Sequence, residues 1–164
     1  MDIAIIVHGG AGAWDRSQDR LIEAVAACNL AATEGRSILL RGGSALDAIE
    51  AAVRSLEDCP ALDAGRGSYP NANGEIEMDA LIMDGRDLSM GAIAAVQRVA
   101  HPVSLARRVM EDSGHHFLVG EGAGSFADGI GFPRCNPDYL LVNDSVERSR
   151  AARQGRPLEP GITA

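Results

Sequence analysis

The stretch from Leu56 to Gly85, LEDCPALDAGRGSYPNANGEIEMDALIMDG, constrains this chain more than any other, because it places a helix end, a glycine-punctuated loop and a strand within thirty residues. A helix arriving from the N-terminal side should stop near Pro60, which lacks a backbone N–H and disfavours helical geometry in the residue before it. Gly65 and Gly67 bracket Arg66, a spacing that suits backbone forced through unusual dihedrals. From Glu75 onward, Ile76, Met78, Ala80 and Ile82 alternate with Glu75, Glu77, Asp79 and Leu81, which predicts a strand with one apolar face. The loop between reads in two ways. It is either an ordinary connection or a set of turned carbonyls able to hold a hard cation through backbone oxygens.

Upstream, Ile3 to Val7 is a continuous apolar run, predicting a strand buried on both faces. His8 to Gly12, HGGAG, follows at once, and glycines after a strand let backbone N–H groups approach an anion or a developing oxyanion. The run has neither the GK[ST] of a phosphate loop nor GxGxxG, and no GxSxG elbow accompanies it as in serine esterases. The His8 side chain itself reads equally well as structural. Residues Asp19 to Leu40 carry Leu21, Ile22, Val25, Ala26, Leu30, Ile38 and Leu39 at helical spacing, with Gly35 as a weak point. Arg41, Gly42 and Gly43 close that helix. Ser44 caps the next, Ala45 to Glu57, with Asp47 as a shortened capping-box partner and Leu46, Ile49, Val53 and Leu56 on one side.

Alanine-rich helices of this kind can lie close against a sheet or each other, and composition agrees. Hydrophobic residues make up 46% of the 164 positions but aromatics only 4%, so the core must be aliphatic. With 19 glycines, layered helix and sheet packing is favoured over a loose bundle. A net charge of −8 without a basic stripe excludes nucleic acid as the natural partner. All fifteen cationic side chains are arginine, which removes lysine nucleophiles and Schiff bases from consideration. Cys28, Cys59 and Cys135 show no CxxC spacing, so neither a disulfide framework nor a zinc site is expected. No signal peptide and no apolar run of membrane length is present, and a soluble, cytoplasmic protein without membrane contact is the expectation.

Downstream, Leu88 to Val99 reads as a buried strand, and Pro102 opens a helix that Val103 to Glu111 completes. His115 and His116 precede the short run FLVG; adjacent strand residues point to opposite faces, so the two do not chelate one ion. GEGAGSFADGIG reads as a short glycine-rich helix or turn. From Asn143 the chain turns polar and arginine-rich, giving two units: residues 1–142 as the folded portion, and 143–164 as a polar helix with a flexible C-terminal linker.

The motifs VHGGAGAW, SALDAIEAAVRSLED, LEDCPALDAGRGS, EMDALIMDG, MGAIAAVQRVAHPVSLARRVME and HHFLVGEGA occur in one order over nearly the whole chain. Together they resemble the plant-type asparaginase and isoaspartyl peptidase family of N-terminal nucleophile hydrolases, and specifically its first half, the α subunit left by self-cleavage. The resemblance implies an α/β fold that is half of a four-layer αββα sandwich, incomplete without a β subunit. It implies a hydrolase of asparagine side-chain amides or β-aspartyl peptide bonds, assembled as (αβ)2, whose nucleophile is a threonine opening the β chain and using its own amine as base.

By the same resemblance, the carbonyls of Leu56, Glu57, Cys59, Leu62, Ala64 and Arg66 would wrap a structural sodium ion, with no other cofactor. His8, Gly9 and Gly10 would support the nucleophile's surroundings. Asp63 stands where the family more commonly has asparagine. It either meets a donor in the active site or stays protonated through burial, or it simply caps the turn through backbone N–H groups. Thr163 lacks the strand that follows the family's nucleophile and is not assigned that role, so the chain alone should be inactive. A non-catalytic binding or assembly protein built on the same fold is the alternative.

Overall fold

The computed structural model describes residues 3–11 and 19–155. Two helices come first, α1 (Asp19–Leu40) and α2 (Ala45–Glu57). They are followed by β1 (Met78–Met83), β2 (Met90–Val96), α3 (Pro102–Asp112), β3 (Phe117–Val119), α4 (Gly120–Gly129), α5 (Pro137–Leu140) and α6 (Asn143–Arg153). The three strands form one sheet in the order β1-β2-β3, antiparallel between β1 and β2 and parallel between β2 and β3.

Both long helices have the predicted limits, but α1 buries a different face from the one its large residues mark. Ala24, Ala27, Ala31 and Gly35 are buried, while Ile22, Val25 and Leu30 are exposed. The reason is proximity to α2: a Cβ on Gly35 would sit 2.8 Å from the Ala48 carbonyl oxygen and 3.4 Å from the Ala52 Cβ. Only small residues permit that approach, so Gly35 is the contact point of the helix pair and not its weak point. At the start of α2, the Ser44 hydroxyl accepts the Asp47 N–H (3.1 Å) and the Asp47 carboxylate accepts the Ser44 N–H (3.2 Å), completing the capping box. α2 is apolar on two sides. Ala52 and Leu56 join the α1 cluster, and Leu46, Ile49 and Val53 pack against the cluster formed by the sheet and α3.

The alternation predicted from Glu75 onward is present. Ile76, Met78 and Ile82 face inward, whereas Glu77, Asp79 and Leu81 are exposed. Beyond β1 the expected long strand shrinks to Met90–Val96, because Leu88 adopts φ 63° in a turn whose N–H bonds to the Asp84 carbonyl (2.9 Å). A β-bulge also interrupts it: Met78 pairs with Val96 but Ala80 with Ile93, leaving Ala94 and Ala95 opposite Asp79. Ala95 sits at φ 50°, and its N–H donates to Asp79 Oδ1 at 2.8 Å.

α3 starts at Pro102 as predicted and lies across the sheet so closely that a Cβ on Gly91 would meet the Ala106 carbonyl oxygen at 2.1 Å. Leu105, Ala106 and Val109 of α3, Ile93 and Val96 of β2, and Leu140 of α5 make the centre of this core. The run Ile3 to Val7 departs from expectation, for it belongs to no strand. Ile5 and Val7 pack on the α1–α2 cluster while Ile6 is 95% exposed, so the segment is half-buried instead of covered on both faces. The paired strands among the described residues are β1, β2 and β3, and none offers residues 3–7 a hydrogen-bonding neighbour.

Candidate functional site

The His-Gly-Gly turn and the loop after α2 are brought together in space. A Cβ on Gly9 would lie 2.5 Å from Cys28 Sγ and 3.6 Å from a methyl of Leu62, so the turn rests on α1 and on the loop at once. Gly10, at φ 108°, donates its N–H to His8 Nδ1 (3.2 Å), which fixes the ring by a local bond.

The loop begins where α2 ends at its C-cap Asp58. The Cys59 N–H donates to the Leu56 carbonyl (3.1 Å), Leu62 N–H to Cys59 (3.2 Å) and Arg66 N–H to Glu57 (2.7 Å), folding the chain back over the helix end. A Cβ at Gly65 would stand 2.6 Å from the Glu57 carbonyl oxygen. Gly65 is therefore required by space, and Gly67, at φ 100°, by dihedral as well. The carbonyl oxygens of Pro60 and Leu62 lie 2.6 and 2.7 Å from the point where a Gly67 Cβ would be, so any side chain at this position would collide with backbone. Among the described residues no group of three His, Cys, Asp or Glu side chains could hold a metal, so a cation here would depend on backbone oxygens.

The Asp63 carboxylate accepts the Tyr69 N–H at 3.2 Å across the loop. Burial raises its pKa, and the bonds from Tyr69 and Ser68 oppose that rise. Glu57 is the loop's buried acid. Only 2% exposed, it accepts the Val103 N–H at Oε1 (2.8 Å) and has no partner at Oε2, and burial pushes its pKa up to about 8. Burial thus favours its neutral form, and its bond from Val103 ties the end of α2 to the first turn of α3.

Next to it, Asp58 Oδ1 takes two bonds, one from the Tyr139 hydroxyl (3.0 Å) and one with His101 Nε2 (3.0 Å). The Arg66 guanidinium lies over the Tyr139 ring, 5.7 Å from its centroid. Sequence reasoning missed Asp58, His101 and Tyr139. They are 43 and 81 positions from their partner, and no local spacing announces such a meeting. His8 and His101 face a backbone N–H and a carboxylate respectively, not a hydroxyl or thiol. Thr163 lies outside the described residues. No helix among the described residues is long and apolar enough to cross a membrane.

Comparison with known proteins gives a match that runs through both the turn and the loop. Residues 1–159 match the asparaginase family. The chain is 49% identical over 148 residues to the isoaspartyl peptidase/L-asparaginase of Homo sapiens, covering 90% of this chain and 48% of that protein. It is 47% identical over 161 residues to the protein of the same name from Mus musculus, covering 98% and 48%. It is also 47% identical over 152 residues to the plant-type L-asparaginase of Pyrococcus horikoshii, covering 93% and 48%. The chain thus spans about half the length of the curated relatives it matches. With a match running through both the His-Gly-Gly turn and the glycine-bracketed loop, the chain belongs to the asparaginase family.

Proposed function

We propose that this chain is the α half of an isoaspartyl peptidase/L-asparaginase that hydrolyses asparagine side-chain amides or β-aspartyl peptide bonds together with a β chain bearing a threonine nucleophile. The observation that carries this reading is the near-half identity over 90–98% of the chain to proteins of that name. In the proposed reaction the threonine hydroxyl attacks the side-chain carbonyl, its own amine taking the proton. Ammonia or the peptide amine leaves, and water releases aspartate from the threonyl ester. The part of this chain is to position. The His8–Gly10 turn and Asp63 border the place where the nucleophile would be held, Asp63 acting through the turn it caps at Tyr69.

A sodium ion held by carbonyls of Leu56, Glu57, Cys59, Leu62, Ala64 and Arg66 belongs to the same proposal. Backbone oxygens of a tightly turned loop suit a hard monovalent guest, and the turns closed by the Cys59, Leu62 and Arg66 N–H groups support the reading. When bound, such an ion would supply rigidity to the loop and not reaction chemistry.

The β chain would bring a second sheet onto the uncovered side of β1-β2-β3, completing a four-layer αββα sandwich, with (αβ)2 as the assembly. That side supports the reading: Leu81, Met83, Phe117 and Val119 are 59, 48, 55 and 51% exposed, and Leu81, Ala92 and Phe117 form one row across the three strands. The test is co-expression with a C-terminal half taken from a family relative, followed by assays of ammonia release from asparagine and of cleavage of a β-aspartyl dipeptide. Activity that requires both halves supports the proposal. A co-purified, folded complex with neither activity would point to the binding or assembly role instead.

A further inference from the structure

The stretch from α5 through the polar helix α6 is attached at several points to the loop that follows α2. Gly67 donates its N–H to the Leu140 carbonyl (2.9 Å), Leu140 is fully buried, and Tyr139 beside it is held by Arg66 and Asp58. Further on, the Ser149 hydroxyl donates to the Pro70 carbonyl (3.3 Å). Arg153 donates through Nη1 to the Ala72 carbonyl (2.9 Å) and through Nη2 to the Ser149 hydroxyl (3.0 Å). Contacts therefore advance in step, with 66 opposite 139, 67 opposite 140, 70 opposite 149 and 72 opposite 153. The turn that receives α6 is itself rigid. Asn71 Oδ1 accepts the N–H groups of Asn73 (2.9 Å) and Glu75 (3.0 Å), and the Asn71 N–H donates to the Glu75 carbonyl (2.8 Å), so the Pro70 and Ala72 carbonyls are held ready.

The two ends of this attachment differ in kind. At the α5 end a buried leucine and a backbone hydrogen bond make it part of the core. At the α6 end a cleft of about 390 Å³ lies between helix and turn, lined by Pro70, Leu141, Val146 and Arg153 among others. The outer contact made by Ser149 and Arg153 is polar and has a cleft beside it, and a polar contact of that kind opens at lower cost than a packed core.

We propose that residues 137–153 form a strap that sets the geometry of the 58–74 loop, with Leu140 as its fixed end and the Ser149–Arg153 pair as its releasable end. A change at the far end of α6 would then reach Arg66, Gly67 and Asp63 through the strap. The inference does not depend on hydrolase activity, since it concerns how two parts of this chain hold each other.

The test is backbone amide hydrogen exchange on the whole chain, comparing the parent with the double variant Ser149→Ala/Arg153→Gln. Loss of the releasable end should raise exchange at the Arg66 and Gly67 amides roughly tenfold, the scale set by losing about one net hydrogen bond, and leave the Ala31 and Ala52 amides unchanged. Arg153→Lys alone, which keeps one donor for Ala72, should restore most of the protection. Exchange that rises only within α6, or equally throughout the chain, would overturn the strap. Failure to find asparaginase activity would leave this result untouched.

Discussion

The two faces of the β1-β2-β3 sheet are made by the same strands and have opposite fates. On the inner face Ile82, Ile93 and Val96 lie against Leu105, Ala106 and Val109 of α3, each almost wholly removed from solvent. On the outer face Leu81, Met83, Phe117 and Val119 have no cover. Both faces are apolar, so hydrophobicity along the strands does not distinguish what holds the chain together from what it offers outward. Cover by α3 does. An inner-face change should be felt as lost stability, and an outer-face change as lost association.

The largest effect should come from Gly91→Val, which would force a side chain into the Ala106 carbonyl and Met110 backbone, 2.1 and 2.4 Å from its Cβ. Neither is a flexible group that can yield. The cost should reach or exceed the upper end of the ~1–3 kcal/mol typical of overpacking, and a urea titration should show no cooperative transition comparable to the parent's. Leu105→Ala, at a fully buried site, should cost ~2–5 kcal/mol and lower the urea midpoint accordingly.

A smaller, pH-dependent effect belongs to the fastening of the helix layer over that inner face. Arg107 of α3 bonds Asp47 (2.8 Å) and Glu50 (2.8 Å) of α2, as well as Glu111 (2.8 Å). The bonds from Ser44 and Arg107 take the Asp47 pKa from its ordinary 3.8 down to about 2. Its folded value is the lower one, so its contribution is complete above about pH 4 and is lost as pH falls from 3.8 toward 2. The group is nearly half exposed, and the loss should be ~1 kcal/mol or less. Comparing thermal melts of Asp47→Asn with the parent between pH 2 and 6 would reveal it, the two curves converging at the acid end.

The smallest change in stability should follow Leu81→Ser/Phe117→Ser on the outer face, within ~0.5 kcal/mol of the parent. The same pair should abolish co-purification with a complementing C-terminal half. If the outer pair destabilised the chain as much as Leu105→Ala, the contrast between the faces would collapse.

Much of this architecture was legible from local pattern. The limits of α1 and α2, the capping box at Ser44 and the alternation through Met78 and Ile82 all follow from neighbours a few residues apart. What was not legible depends on distant partners. The buried face of α1 is chosen by α2, which accepts Ala31 and Gly35 and leaves Ile22 and Leu30 outside. The turn of Ile3–Val7 into a half-buried extended segment depends on which strands stand beside it. At the candidate site the loop and the His-Gly-Gly turn could be named from their motifs, and their contact through Gly9 and Leu62 could not. Asp58, His101 and Tyr139 emerged only from three-dimensional proximity.

The bulge in β2 bears on the order of events in assembly. Two strands made mostly of small and aliphatic residues could slide past one another, and a slip of one position would turn Leu81 inward and Ile82 outward. Ala94 and Ala95 opposite a single residue, with the Asp79 carboxylate gripping the Ala95 N–H, act as a pawl that stops the slide. The chain therefore fixes by itself which side of β1 and β2 faces outward, and in the proposed assembly a partner would meet a surface already chosen. In that assembly, removing the catch, as in Asp79→Ala, would let slipped registers compete, and apparent affinity would fall with the fraction of chain left in the competent register.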